Sequence, residues 1–216
     1  MAVAVDIKKL LESGAHFGHS TSRWHPKMAP YIHSKRAGNH IVDLTKTVEA
    51  LEAALPQVTK AVASGKQVLL VGTKRQAKAI VQQAAEETGM PYVVNRWVGG
   101  MLTNVGTMNG RIKHLQDLEN KLESGELANR YSKLEVQRFQ EEVERMNHLY
   151  GGIKDLRGKP GLVYVTDVVT DHLAVKEAKR LGVPVIGVVD TNADPTGIDF
   201  PIPANDDALG AVKLLL

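Results

Sequence analysis

Three stretches of the chain are apolar and β-branched without polar alternation: QVLLVGT (67–73), GLVYVTD (161–167) and VPVIGVVD (183–190). Runs of this length, closed by turn residues, predict strands buried on both faces. HIVDL (40–44) and PYVVN (91–95) are shorter candidates. Between them the apolar spacing becomes helical, over 45–65, 74–89 and 171–182, and the last two segments stop at Gly89 and Gly182. Glycine is the usual residue just past a helix C-terminus. Strand and helix alternate, so the pattern predicts an α/β fold: a doubly wound parallel sheet with helices on both faces.

One segment departs from that alternation. From 103 to 150 there is no strand signal, only two helical arms around ESGELANRYS. Ile112, Leu115, Leu118 and Leu122 line the first arm; Val136, Phe139, Val143, Met146 and Tyr150 line the second at steps of three and four. This predicts an antiparallel helical hairpin with coiled-coil packing, inserted into a sheet domain made of 1–102 and 151–216. Gly99-Gly100 and Gly151-Gly152 bracket it and read as flexible joints.

Composition narrows the class. With 43% hydrophobic and 24% charged residues among 216, the chain has enough apolar material for a substantial core. It has no cysteine, which removes disulfides and thiolate metal sites and fits a reducing compartment. The N-terminus MAVAVDIKKLLESG carries Asp6, Lys8, Lys9 and Glu12, unlike a secretory signal. No apolar run approaches the roughly 20 residues of a membrane span. A cytoplasmic protein is expected.

The net charge is only +3, but it is unevenly spread. The windows 14–42 (a basic arm over 13–42), 53–85 and 88–116 are free of acids, whereas Asp190, Asp194, Asp199, Asp206 and Asp207 crowd the C-terminal part. One basic and one acidic side suggest two kinds of partner.

Enzyme readings find little support. VGTKRQAK (71–78) opens a helix after a strand, where a phosphate could sit, but it has neither a dinucleotide fingerprint nor a P-loop. There is no G-x-S-x-G and no H-E-x-x-H. An enzyme or regulator binding a phosphorylated metabolite in the switch-point crevice remains the alternative. The acidic tail is more suggestive: Asp190 ends a strand, and His19 closing on Asp190, Asp206 and Asp207 would hold a divalent cation, zinc or magnesium. The competing reading makes Asp206 and Asp207 caps of the last helix.

Nucleic-acid binding accounts for more residues at once. STSRWHPKMAPYIHSKRAGNH (20–40) mixes Arg23, Trp24, Lys27, Lys35 and Arg36 with small hydroxyls. NRWVGGMLTN (95–104) and NGRIKH (109–114) repeat the mixture with Arg96, Thr103, Asn104, Arg111 and Lys113. Guanidinium groups clasp phosphates and flat rings receive unstacked bases. Both tryptophans follow an arginine; the expected arrangement turns the ring at 97 into the core and the charge at 96 outward.

At these residues the chain resembles the bacterial-type small-subunit ribosomal protein S two family. HFGHSTSRWHPKMAPYI (16–32), VGTKRQA (71–77), NRWVGGMLTN (95–104), GGIKD (151–155), VPVIGVVDTNADP (183–195) and IPANDDA (202–208) match its motifs in order. His25, Val98 and the stretch YIHSKRAGNH (31–40) depart from the usual pattern while keeping its basic character. The resemblance implies a Rossmann-like (flavodoxin-like) domain with a protruding coiled-coil hairpin and no catalysis. It implies binding to 16S rRNA near the head–body junction, contact with neighbouring small-subunit proteins and docking of ribosomal protein S one, with no homo-oligomer and no required cofactor. By motif, Arg23, Trp24, Lys27, Lys74, Arg75, Arg96 to Asn104 and Lys154 are carried over as the residues that line or shape the rRNA face. His19 and the acidic cluster are shared with the family.

Overall fold

A computed structural model describes residues 6–216; residues 1–5, counted above with the sheet domain and the polar N-terminus, lie outside the described residues. The chain begins with α1 (Ile7–Glu12), capped by the Asp6 carboxylate, and then forms a small antiparallel sheet of β1 (Phe17–Ser20), β2 (Ile32–Arg36) and β3 (Asn39–Val42) in the order β1-β3-β2. Helix α2 (Leu44–Ala63) leads to β4 (Val68–Val71), α3 (Lys78–Thr88) and β5 (Tyr92–Val93). Three helices follow, α4 (Val105–Glu123), α5 (Glu126–Arg130) and α6 (Lys133–Tyr150). The chain closes with β6 (Leu162–Val165), α7 (His172–Arg180), β7 (Val185–Val189), β8 (Phe200–Pro203) and α8 (Leu209–Leu215).

The main sheet is parallel throughout, in the order β5-β4-β6-β7-β8. Side chains alternate across a strand, so each strand feeds two cores. Leu69, Val71, Val163, Val165, Val185 and Val189 face one side, against Trp97, Met101, Ala174 and Ala178. Val68, Leu70, Leu162, Tyr164, Ile186 and Val188 face the other, against Leu51, Ala54, Val81 and Val212. With apolar layers on both faces, the runs carry no polar alternation. This is the doubly wound architecture expected from the pattern, Rossmann-like as the resemblance implies, and its topological switch lies between β4 and β6.

Four features differ from expectation. The basic arm is itself a folded sheet, which its irregular polarity hid because most of β2 is exposed. Strand β8 escaped notice because Pro201 and Pro203 disguise it; it is an edge strand, where proline is tolerated. Helix α3 starts at Lys78, four residues later than expected, because Thr73 N and Oγ1 both donate to Asp171 and hold the chain in a turn. The bracketing glycines are not loose joints. Gly100 has φ +88 and donates its N–H to Glu177, while a Cβ on Gly152 would lie 2.3 Å from the Tyr92 carbonyl oxygen.

Helices α4 and α6 pack on each other, and Met108, Leu115, Met146 and Tyr150 join the same core as the sheet. A reciprocal capping box of Ser132 and Glu135 starts α6. Near its other end, Asn147 and Lys154 both donate to Glu119 on α4.

Candidate nucleic-acid interface

The C-terminal ends of four strands meet in one charged cluster. Asp167 follows β6, Asp190 follows β7, Asp206 and Asp207 follow β8, and all but Asp207 are buried. Lys74, just after β4, reaches into this group: Nζ lies 2.7 Å from Asp206 Oδ1, 2.7 Å from Asp207 Oδ1 and 3.5 Å from Asp167 Oδ2. Burial alone would lower the Lys74 pKa, but the bonds to Asp206 and Asp207 outweigh it and raise it. Asp206 is pushed up to about 7 by burial, then by the neighbouring Asp167 and Asp190 charges, against the pull of Lys74.

His19 completes the cluster. Its Nδ1 lies 3.1 Å from Asp190 Oδ2 and its Nε2 lies 3.7 Å from Asp207 Oδ2. The bond to Asp190 raises its pKa against the opposing effect of burial. Ligand-type atoms of His19, Asp206 and Asp207, three of the four residues expected to hold a divalent cation, fall within 4.8 Å of one another. The Lys74 ammonium already bridges Asp206 and Asp207, so the carboxylates have a counter-charge from the chain itself and the cation reading gains no support. Neither aspartate caps α8, which has no side-chain cap; Asn205 Oδ1 accepts from Asp207 N and Ala208 N in the turn before it.

The small sheet is clamped to the end of β7. Thr191 Oγ1 accepts from His19 N, and the Thr191 carbonyl accepts from His25 N, both at 2.8 Å. Gly18 permits this approach, since a Cβ there would lie 2.6 Å from the Thr191 side chain. Lys27 adds an ion pair to Asp194 at 2.9 Å and a bond to Thr196 at 2.7 Å. The Trp24 ring packs beside buried His40, centroids 5.1 Å apart.

The 95–104 loop is fixed from two sides. Asn95 Nδ2 donates to the His148 carbonyl at the end of α6. Trp97 is buried, and its Nε1 donates to Glu177 on α7. Gly100 N, Leu102 N, Thr103 N and Thr103 Oγ1 donate to the same carboxylate. Between the anchors Arg96 is exposed, so the ring is inward and the charge outward, as expected.

Residues 10–216 match the family model of ribosomal protein S2. The chain is 47% identical over 210 residues to small ribosomal subunit protein uS2 of Dehalococcoides mccartyi, covering 97% of this chain and 85% of that relative. It is 48% identical over 215 residues to the protein of that name from Coprothermobacter proteolyticus, covering 100% of this chain and 80% of the relative. The chain belongs to the ribosomal protein S2 family. That family is a structural, non-enzymatic constituent of the small ribosomal subunit and needs no cofactor.

Within this S2 chain the residues expected to meet rRNA divide into two groups. Arg23, Lys35, Arg36, Arg75, Arg96, Arg111 and Lys113 are exposed, and none of them forms an ion pair among the described residues. Arg23, Lys35 and Arg36 belong to the small-sheet unit, and Arg96, Asn104, Arg111 and Lys113 to the 95–104 loop and the start of α4. Lys27, Lys74 and Lys154 are paired with Asp194, the strand-end cluster and Glu119; the Lys27 pair is on the surface, whereas Lys74 and Lys154 are half-buried and shape the molecule from within. Thr103 is likewise spent on Glu177, and Trp24 is half-buried. The partners Asp167, Glu177, Glu119 and Asp194 were not singled out from sequence as binding partners. Asp167 had one signal, because VYVTD ends as VVD does at Asp190; Glu177 had none, lying mid-helix in DHLAVKEAKR.

Proposed function

We propose that this chain binds 16S rRNA near the head–body junction of the small subunit through the exposed cations of the small sheet, Arg75, the Arg96 loop and the first turns of α4. It acts as a monomer in the cytoplasm, on the ribosome, beside neighbouring small-subunit proteins. Residues 103–150 serve as an inserted helical hairpin on the sheet domain of 1–102 and 151–216. The acidic strand-end side supports docking of ribosomal protein S one.

One observation carries the RNA reading. Arg96 is exposed and, among the described residues, forms no ion pair, on a loop anchored at Asn95 and Trp97, a guanidinium held ready for a phosphate. The metabolite alternative loses ground for a related reason. A ligand entering the strand-end crevice would have to displace the Lys74 ammonium from three carboxylates.

The test is co-sedimentation with small subunits stripped of this one protein, across a salt series. Wild type should bind stoichiometrically, with a log–log salt slope of about −0.7 to −0.9 per phosphate neutralised. Arg36→Glu with Arg96→Glu should abolish binding while leaving the fold intact by circular dichroism. A folded wild type that fails to bind rejects the rRNA role, and a double variant that binds normally rejects this face. Adding ribosomal protein S one to the reconstituted subunits, with and without Asp207→Lys, tests the docking side.

A further inference from the structure

The 97–103 loop has the donor set of an anion-binding nest, but the anion comes from the protein. Five donors converge on one carboxylate. Glu177 Oε1 accepts from Gly100 N at 2.7 Å and Trp97 Nε1 at 3.1 Å. Oε2 accepts from Leu102 N at 3.0 Å, Thr103 N at 3.1 Å and Thr103 Oγ1 at 3.1 Å. Successive N–H groups turned to one point form the concavity that elsewhere binds phosphate or carboxylate. The loop satisfies little of itself: Met101 N donates to Val98 O and Asn104 N to Gly100 O. The donors of Trp97, Gly100, Leu102 and Thr103 depend on an acceptor from α7; burial alone would raise the Glu177 pKa, but these bonds outweigh it and hold the carboxyl below its usual range.

We propose that Glu177 is the positioning residue of the RNA-facing loop, an internal anion around which Trp97–Thr103 folds so that Arg96 and the start of α4 are held in their binding arrangement. Glu177 itself touches no RNA, and the proposal rests on the reading that Arg96 does. Packing cannot substitute for this role, because each oxygen takes at least two donors. A glutamine keeps the volume but turns an NH₂ group toward two or three N–H and O–H donors, whichever way it flips. These part-buried donors, left facing another donor, lose their partner. Glu177→Ala removes the carboxylate and leaves a space the size of acetate lined by the same donors.

The experiment uses the full chain and small subunits stripped of it. Glu177→Gln, Glu177→Ala, Arg96→Ala and Val175→Ala, a packing change on the same helix, are compared for salt-dependent binding and for amide hydrogen exchange at Gly100, Leu102 and Thr103. Glu177→Gln should lose protection at those three amides and bind at least tenfold more weakly with an unchanged salt slope, since no phosphate contact has been removed. Arg96→Ala should keep the protection and lower the slope by about one contact. Sodium acetate should restore Glu177→Ala several-fold relative to sodium chloride at equal ionic strength. Unchanged exchange in Glu177→Gln, binding within twofold of wild type, an equal loss in Val175→Ala, or acetate acting no better than chloride each overturns the proposal. If Arg96→Ala leaves affinity and slope untouched while Glu177→Gln still weakens binding, the Arg96 contact falls and the role of Glu177 stands.

Discussion

Asp206 lies between two carboxylates and an ammonium, and its titration reports which neighbour prevails. In the folded chain its carboxyl keeps a proton up to about pH 7, whereas an unfolded aspartate releases it near pH 4, roughly. Between those values the native state holds the extra proton. The Asp206 contribution to stability is therefore complete below about pH 4 and is lost as pH rises through about 7. Carbon NMR of the side chain should show a midpoint near neutrality, and Asp206→Asn should flatten the fall in urea midpoint across that window; a midpoint near 4 would show that Lys74 dominates. A second residue-scale feature is the turn joining β2 to β3. Ala37 has φ +49 and Gly38 φ +79, the doubly left-handed geometry of a tight hairpin, but Ala37 has a Cβ that dislikes it. Ala37→Gly should stabilise the protein by about 0.5–1 kcal/mol, read as a higher denaturant midpoint.

The elements are held by close approaches as much as by apolar area. Gly152, just past α6, presses against the Tyr92 carbonyl at the edge strand β5, where added carbon meets backbone that cannot swing away. Gly152→Ala should cost about 2–3 kcal/mol in chemical denaturation, as overpacking against backbone does. The elements with a clean period were legible from sequence: β4, β6 and β7 from unbroken apolar runs, and the stop of α3 from Gly89, which is left-handed at φ +66. What escaped had its pattern set by another part of the chain. Most of β2 in the small sheet is exposed, and the sheet is held in place partly by Thr191, some 170 residues away by the His19 bond. Which of the cations proposed to meet RNA are unpaired was hidden for the same reason. A lysine free to meet phosphate and a lysine committed to a distant carboxylate look alike in sequence, and Lys27, Lys74 and Lys154 are of the second kind.

At the scale of the molecule, Lys74 joins the ends of the main sheet. It follows β4 and bonds residues that follow β6 and β8, so one ammonium spans the topological switch where this architecture usually receives a ligand. Lys74→Met should destabilise the whole protein by about 3–5 kcal/mol at neutral pH, because it leaves buried carboxylates without their counter-charge. Part of that loss should be recovered in acid, where the aspartates take up protons. A loss of less than 1 kcal/mol, roughly, would show that water screens the cluster more than its burial suggests. With the crevice closed from inside, the RNA contacts proposed above lie on the rim: the small sheet clamped at Thr191, the loop clamped at Glu177, and the helix that follows it.

The strand order has a further consequence for how the chain is made. Strand β4 lies between β5 and β6, but β6 is translated only after the 90 residues from 72 to 161. At roughly 5–20 residues per second, the inner edge of Val68–Val71 stays open for about 5–18 s while α4, α5 and α6 emerge. An unpaired apolar edge is an invitation to wrong partners, other nascent chains included. The three helices between β5 and β6, two of which share the core of the sheet, are thus also a delay in its synthesis.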